Sequence, residues 1–349
     1  MGRITQVEIN DMEKWNDCVR SFLHYDVFYL PEYVSAFMNE DKKNGIPILL
    51  LYENEEDRAI NVVFKRDVAL DAKFRDKIPE GKYYDLISPY GYGGFMGKIT
   101  DYDELNRTYN VFCNERSYVC EFVRFELFSD YYAHYDGDVE SRTHNVVRNL
   151  EMSLDDIWMD FKQKVRKNVK RANQNNLEII IENTDDHLRE FLDIYYSTMD
   201  RSNAEKQFYF SKEFYDTLNQ MRDNIMYFHV VSAGKIISTE LVIYGSENCY
   251  SYLGGTNRDY FELRPNDFLK YEIIKWAKGH GLKNFVLGGG YGADDGIFQY
   301  KTCLAPHGIV DFYIGKKIFD KAAYQELVDI RYKEQQERLK ESFFPAYRA

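Results

Sequence analysis

The stretch IMYFHVVSAGKIISTELVIYGSENCYSYLGG (225–255) contains three strand-length runs, 225–232, 235–245 and 249–255. Ala233-Gly234 and Ser246-Glu247-Asn248 separate them, and short polar or glycine turns between β-branched and aromatic runs predict an antiparallel three-strand meander. Upstream, Ser153 opens SLDDIWMDF with Asp156 three residues on, a helix start of capping-box type. Leu154, Ile157, Trp158, Phe161, Val165, Val169 and Ala172 then recur at helical spacing and predict one apolar stripe. A second helix is predicted over 185–200, with Leu188, Phe191, Leu192, Tyr195 and Met199 inward, and a third opens at Ser211. Downstream, Pro265 is placed to start the helix NDFLKYEIIKWAKGHG, which stops at Gly279 and Gly281. A strand NFVLGGG (284–290), a glycine-rich loop and a strand IVDFYIG (309–315) follow.

The first half runs through a similar order. Helices fit at 11–23 and 31–43, and strands at PILLLYE (47–53) and AINVVFKR (59–66). The glycine-rich turn PYGYGG (89–94) precedes a helix over 101–116 and a strand at CEFVRFELF (120–128). The reading is an α/β (α+β) chain of two similar domains, 1–150 and 151–320. Each holds a mixed, mostly antiparallel sheet flanked by helices, and a charged helix within 321–349 docks back on the core through residues such as Tyr324, Leu327, Val328 and Tyr332. At 349 residues two domains are also the default expectation.

The formal net charge of -12 argues against a protein coated with nucleic acid. Five scattered cysteines form no C-x-x-C pair, so neither a disulfide framework nor a zinc site is indicated, and no metal-ligand set is predicted. The N-terminus has no apolar run of signal-peptide type and nothing approaches a membrane span, which makes a reducing cytoplasm the expected location. The aromatic share of 16% includes 30 tyrosines, whose flat rings with polar tips suit cores and mixed-polarity grooves alike.

The helix-helix-sheet-helix-strand order resembles the GNAT acyltransferase fold. KVRKNVKRANQNNLEI (164–179), YYSTMDRSNAEKQFYF (195–210), LGGTN (253–257) and QYKTCLAP (299–306), taken in that order, resemble the Fem family. DVFYLPEYVSAF (26–37) and PYGYGG resemble other parts of Fem-like proteins. Fem proteins are peptidoglycan-bridge aminoacyltransferases built from two GNAT-like domains. The resemblance implies transfer of an aminoacyl group from the acceptor end of aminoacyl-tRNA to an amine of a cell-wall precursor peptide. It also implies cytoplasmic work, with peripheral contact at the membrane face and no bound cofactor. An acyl group from coenzyme A or a carrier protein, moved to an amino sugar or other amine, is the alternative. A non-catalytic sugar- or peptide-binding protein is a second.

Acyl transfer to an amine needs a neutral nucleophile, stabilisation of a developing oxyanion and help for the leaving group. The seven histidines are dispersed and no G-x-S-x-G occurs. Coenzyme A enzymes of this fold hold pyrophosphate on an R/Q-x-x-G-x-G/A loop; GGTNRDYFELRPND (254–267) has two glycines without that spacing, which favours another donor. Lys301 is the first candidate for chemistry: the resemblance puts an aromatic-Lys pair, here Tyr300 and Lys301, at the donor phosphate or reacting ester, with Lys301 expected near the end of a strand. Glu240, in the apolar run STELVIYG, is a candidate base with a raised pKa, or a solvent-facing carboxylate by strand alternation. Lys162, Lys164, Arg166, Lys167, Lys170 and Arg171 set six cations within ten residues on one helix face, suited to phosphate steering or to plain solvation. Arg201 is read as a carboxylate or phosphate clamp and Asn266 as a further binding residue. Tyr209 and Tyr252 are read as groove-lining side chains, with Tyr90 and Tyr92 as the opposite wall.

Overall fold

The computed structural model describes residues 2–41, 44–290, 295–335 and 343–349. The first elements are β1 (Arg3–Glu8), α1 (Met12–Arg20), α2 (Pro31–Glu40), β2 (Ile46–Glu53), β3 (Arg58–Asp67), β4 (Tyr84–Ile87) and β5 (Met96–Lys98). Then come α3 (Tyr102–Asn114), β6 (Tyr118–Arg124), α4 (Tyr131–His134), β7 (Asp138–Asn149), α5 (Leu154–Asp160), α6 (Gln163–Gln174) and β8 (Glu178–Glu182). They are followed by α7 (Leu188–Ser202), α8 (Lys212–Leu218), β9 (Ile225–Ser232), β10 (Lys235–Tyr244) and β11 (Asn248–Thr256). The last are α9 (Pro265–Gly279), β12 (Asn284–Gly288), α10 (Gly296–Leu304), β13 (Ile309–Ile318) and α11 (Lys321–Gln335).

The chain folds as two compact units. One comprises Met1–Leu23, Phe28–Arg142 and Phe312–Ala349; the other comprises His24–Val27 and Thr143–Asp311. In the first, β1, β2, β3 and β4 pair antiparallel in sequence order, β4 pairs β6 in parallel, and β6 pairs β13 antiparallel. In the second, β8, β9, β10 and β11 pair antiparallel in sequence order, β11 pairs β12 in parallel, and β12 pairs β7 antiparallel. The fold class expected from the sequence is therefore borne out, with the same pairing order in both units. Each unit draws its sixth strand from the other half of the sequence, so a cut at 150 does not follow the sheets.

Apolar clusters of the first unit include two that seat helices on its sheet. The larger joins β2 and β3 to α3 through residues such as Ile48, Leu50, Val63, Leu105 and Tyr109. The smaller receives α11 and the chain end through Ala323, Leu327 and Tyr347, while Tyr332 stays exposed. Arg66 and Arg348 both bond Asp85, at 2.6 Å each. Burial alone would raise the Asp85 carboxyl, but the two guanidiniums hold it below its usual range. Residues 336–342 of the expected C-terminal helix and 42–43 of the second expected helix lie outside the described residues.

In the second unit the sheet is covered on both faces. Val165, Val169 and Ala172 of α6 pack with Phe268, Leu269, Ile273 and Ile274 of α9 on one face. Phe191 of α7 meets Tyr227 of β9 on the other, ring centres 5.3 Å apart. The single stripe expected from Leu154 to Ala172 is two helices. Phe161 and Lys162 are extended (ψ 140° and 145°), and the Arg166 guanidinium donates to the carbonyls of Met159 (2.7 Å) and Phe161. Those bonds close the last turn of α5, whose end carbonyls would otherwise lack partners.

Candidate active site

The site grows from one feature of the second sheet. Parallel pairing of β11 with β12 covers only Asn248–Tyr250 against Asn284–Val286. Beyond it the two strands no longer pair, and on the β10 side the register skips Tyr252: Leu241 faces Leu253 while Val242 faces Ser251. A bulge of this kind bends its strand and re-aims side chains. Beside the unpaired end of β11 lies a cavity of about 510 Å³, lined by Glu240, Ser251, Tyr252, Gly254, Gly255, Thr198 and Arg201. The start of α9 supplies Asn266, Asp267 and Lys270, and α10 supplies Tyr300 and Lys301.

Glu240 is buried, not turned to solvent, and both its oxygens accept hydrogen bonds from Lys270 Nζ, at 2.6 and 2.5 Å. The third donor of that ammonium goes to Ser251 Oγ, at 2.6 Å. Glu240 is thus an ion-paired carboxylate rather than a lone one in an apolar strand. Lys270 was missed from the sequence, although it lies three, four and seven residues before Ile273, Ile274 and Ala277, on the buried stripe of α9. A charge on such a stripe is the signal that could have found it.

Lys301 lies on α10, not at a strand end as expected: the loop predicted from glycine spacing contains this nine-residue helix. Its Nζ donates to the Gly289 carbonyl at 2.6 Å, the only hydrogen-bond partner it has among the described residues. Burial, then the nearby Lys270 cation, lower its pKa from 10.5 to about 8, against the opposing pull of Glu240 and Asp295. The Tyr300 hydroxyl is sealed from solvent and makes no well-formed hydrogen bond among the described residues. Burial and the carboxylates of Asp267 and Glu240 push it well above the usual phenol range, with Asn266 opposing. Residues 291–294 of the loop before α10 lie outside the described residues.

At the mouth, Arg264 takes a left-handed backbone (φ 62°, ψ 42°) directly before Pro265. That strained conformation sets its side chain among the lining residues. Asp267 sits in the first turn of α9 and accepts from Asn168 Nδ2 at 2.9 Å, its carboxyl raised chiefly by burial. Arg201 lies over the Phe261 ring, 5.2 Å from its centre.

Four expected binding residues lie elsewhere and one is engaged otherwise. Tyr209 donates to Asp200 at 2.7 Å and stacks on Tyr196, bracing the turn after α7 outside the cavity lining. Arg166 is used as the α5 cap, and Lys170 is exposed on α6. Tyr92 is buried edge-on against Phe28 and Phe312, and the Tyr90 carbonyl accepts from Tyr33 at 2.7 Å; both belong to the first unit.

Comparison with known proteins agrees with the architecture. The sequence signature of the acetyltransferase (GNAT) domain matches residues 159–302, which include every residue lining this cavity. The crystal structure of FemX superposes with a TM-score of 0.68 at 12% identity, covering 92% of this chain and 99% of that one. The structure of L-PGS from Bacillus licheniformis gives 0.56 at 11%, covering 93% and 97%. These establish the class: a chain of GNAT acyltransferase fold. Within that class the resemblance to the Fem family is borne out by a curated relative. Lipid II:glycine glycyltransferase of Staphylococcus haemolyticus is 27% identical over 99 residues, 28% of this chain. The match spans only 24% of that relative's length. No described helix is long and apolar enough to cross a membrane.

Proposed function

We propose that this chain transfers an aminoacyl group from aminoacyl-tRNA to an amine of a peptidoglycan-precursor peptide, with the reaction centred on Lys301. The observation that carries the reading is a lysine of lowered pKa in a walled cavity, beside a second, fully paired lysine. The name of the staphylococcal relative supplies the substrate class, and the cytoplasm with peripheral contact at the membrane face is the setting it suits.

In this reading the acceptor's neutral amine attacks the ester carbon, a C–N bond forms, and the carbonyl oxygen gathers negative charge near the Lys301 ammonium. As the C–O bond to the ribose breaks, Lys301 gives its proton to the leaving oxygen and recovers one from the new amide nitrogen. A donor with a pKa of about 8 parts with that proton more readily than an ordinary lysine. The Lys270–Glu240 pair keeps a fixed cation and a fixed carboxylate in the same wall, and in this reading Tyr252, Asn266 and Arg201, which line the cavity, hold substrate.

A coenzyme A donor is disfavoured by the start of α9. Pro265 has no N–H to offer a pyrophosphate, and the Asp267 carboxylate stands in the first turn, where a second anion would be repelled. Saturable coenzyme A binding by calorimetry would reverse that ranking. A binding protein without chemistry would hold ligand equally well after Lys301→Met.

The deciding experiment supplies the full chain with a panel of aminoacyl-tRNAs and a precursor pentapeptide. Product is expected, and Lys301→Met lowers kcat/KM by roughly 100- to 10,000-fold. The folded-state pKa lies below the ordinary 10.5, so the charged form is penalised below pH 8 and relieved as pH rises toward 10.5. The variant should therefore melt no lower than the parent at pH 7. No transfer with any tRNA overturns the proposal.

A further inference from the structure

The opposite face of β10 carries a second cluster. Strand alternation turns Glu240 toward α9 and its neighbour Thr239 the other way, where Thr239 pairs across the sheet with His229 of β9. His229 is fully buried, and its Nδ1 lies 2.8 Å from Thr239 Oγ1. Its Nε2 makes no hydrogen bond among the described residues, yet it lies 3.4 Å from Glu182 Oε1 at the end of β8. The same carboxylate reaches His187 at the start of α7, with Nδ1 at 2.9 and 3.0 Å from its two oxygens and the backbone N–H at 3.2 Å. The ligand atoms of all three side chains lie within 4.8 Å of one another.

We infer that Glu182, His187 and His229 form a binding site for one divalent cation of zinc type. Two imidazoles and one carboxylate are a donor set zinc takes in tetrahedral sites that keep a fourth position for water. With metal–ligand bonds of ~2.0–2.2 Å, neighbouring donor atoms in such a site stand ~3.4 Å apart, so the cluster needs only small side-chain shifts to close on an ion. A hydrogen bond from Nδ1–H to Thr239 leaves the Nε2 lone pair aimed at the carboxylate, an arrangement a cation between them makes favourable. His187 lines a surface cavity of about 680 Å³, which supplies the entry path. The ion would tie edge strand β8 and the start of α7 to the sheet, and the far end of α7 carries Thr198 and Arg201 of the transfer cavity.

The test uses the full, untagged chain, stripped with chelator and titrated with Zn2+ by calorimetry and with Co2+ by absorption. One equivalent of Zn2+ is expected, with the strong visible bands of four-coordinate Co2+ and a higher melting temperature. His187→Ala, at a partly exposed position, abolishes both signals. Thr239→Val, which removes the support of His229 but no ligand, weakens Zn2+ about 10- to 100-fold. Absence of Zn2+ binding, binding that survives His187→Ala unchanged, or a Co2+ spectrum no different from the hexaaqua ion would each overturn the assignment. Metal loading is read without any acyl donor, so its failure and a failure of the transferase reading are separate results.

Discussion

Lys301 and Lys270 show how one residue type serves two ends within a single cavity. Lys270 spends its three donors on Glu240 and Ser251, so its charge is paired and its position fixed. Lys301 has a carbonyl for a partner and feels Lys270 as a like charge, which leaves it poised near neutrality. If the ammonium form delivers the proton, kcat/KM should fall as pH rises through about 8. Residual activity of Lys301→Arg should lack that limb, because a guanidinium stays charged throughout. A parent profile flat from pH 7 to 9.5 would remove Lys301 from the proton path. The candidacy of Lys301 and Glu240 was legible in the residue string, as a lysine after a glycine-rich loop and a carboxylate inside an apolar strand. Their partners were not: Lys270 lies 30 residues from Glu240, and local periodicity carries no information about such pairs.

The elements decide the shape of the cavity. β11 and β12 part after Tyr250 and Val286, the bulge at Tyr252 bends the strand, and α7 packs close against its far end. Glycine at 255 is required by that approach: a Cβ there would meet Thr198 Oγ1 at 2.4 Å and the Ile194 carbonyl at 2.9 Å. Gly254 and Gly255 thus continue β11 under a close helix. Gly255→Ala is expected to destabilise the fold by about 1–3 kcal/mol and to raise KM, since Thr198 and Arg201 shift with α7. Gly279→Ala, where an added Cβ meets nothing within 4 Å, serves as control and should stay within about 0.5 kcal/mol. Equal denaturation midpoints for the two variants would refute the packing argument. Strands β9 and β10 follow their predicted bounds almost to the residue because turn residues and strand formers alternate sharply there. α10 was missed because the run GIFQYKTCL shows little helical amphipathicity.

At the scale of the molecule, the proposed reaction requires an acidic chain to meet an anionic donor. Lys164, Lys167 and Lys170 are exposed on α6 and Lys162 directly before it, whereas Arg166 caps α5 and Arg171 reaches Glu262 at 3.3 Å. The steering surface is therefore smaller than the six-cation run suggested. Replacing the three exposed lysines of α6 by Gln should raise KM for aminoacyl-tRNA with little change in kcat. It should also flatten the dependence of log KM on log salt, by about one unit for each phosphate that the variant no longer neutralises. An unchanged salt slope would assign that face to solvation alone.

Alternation, helical spacing and turn chemistry are local, and from them the sequence determined the α/β class, the antiparallel meander of β9, β10 and β11, and a similar order of elements in the two halves. Pairings across long stretches of chain are not written in any window of residues, so the tertiary structure alone decided the rest. It gave each sheet a sixth strand from the other half of the chain, set Lys270 on Glu240, and turned Arg166 into a cap. It also gathered two of the dispersed histidines around Glu182. Each of these depends on which distant backbone segments pair, and that is settled by burial of the whole core rather than by any single stretch of it.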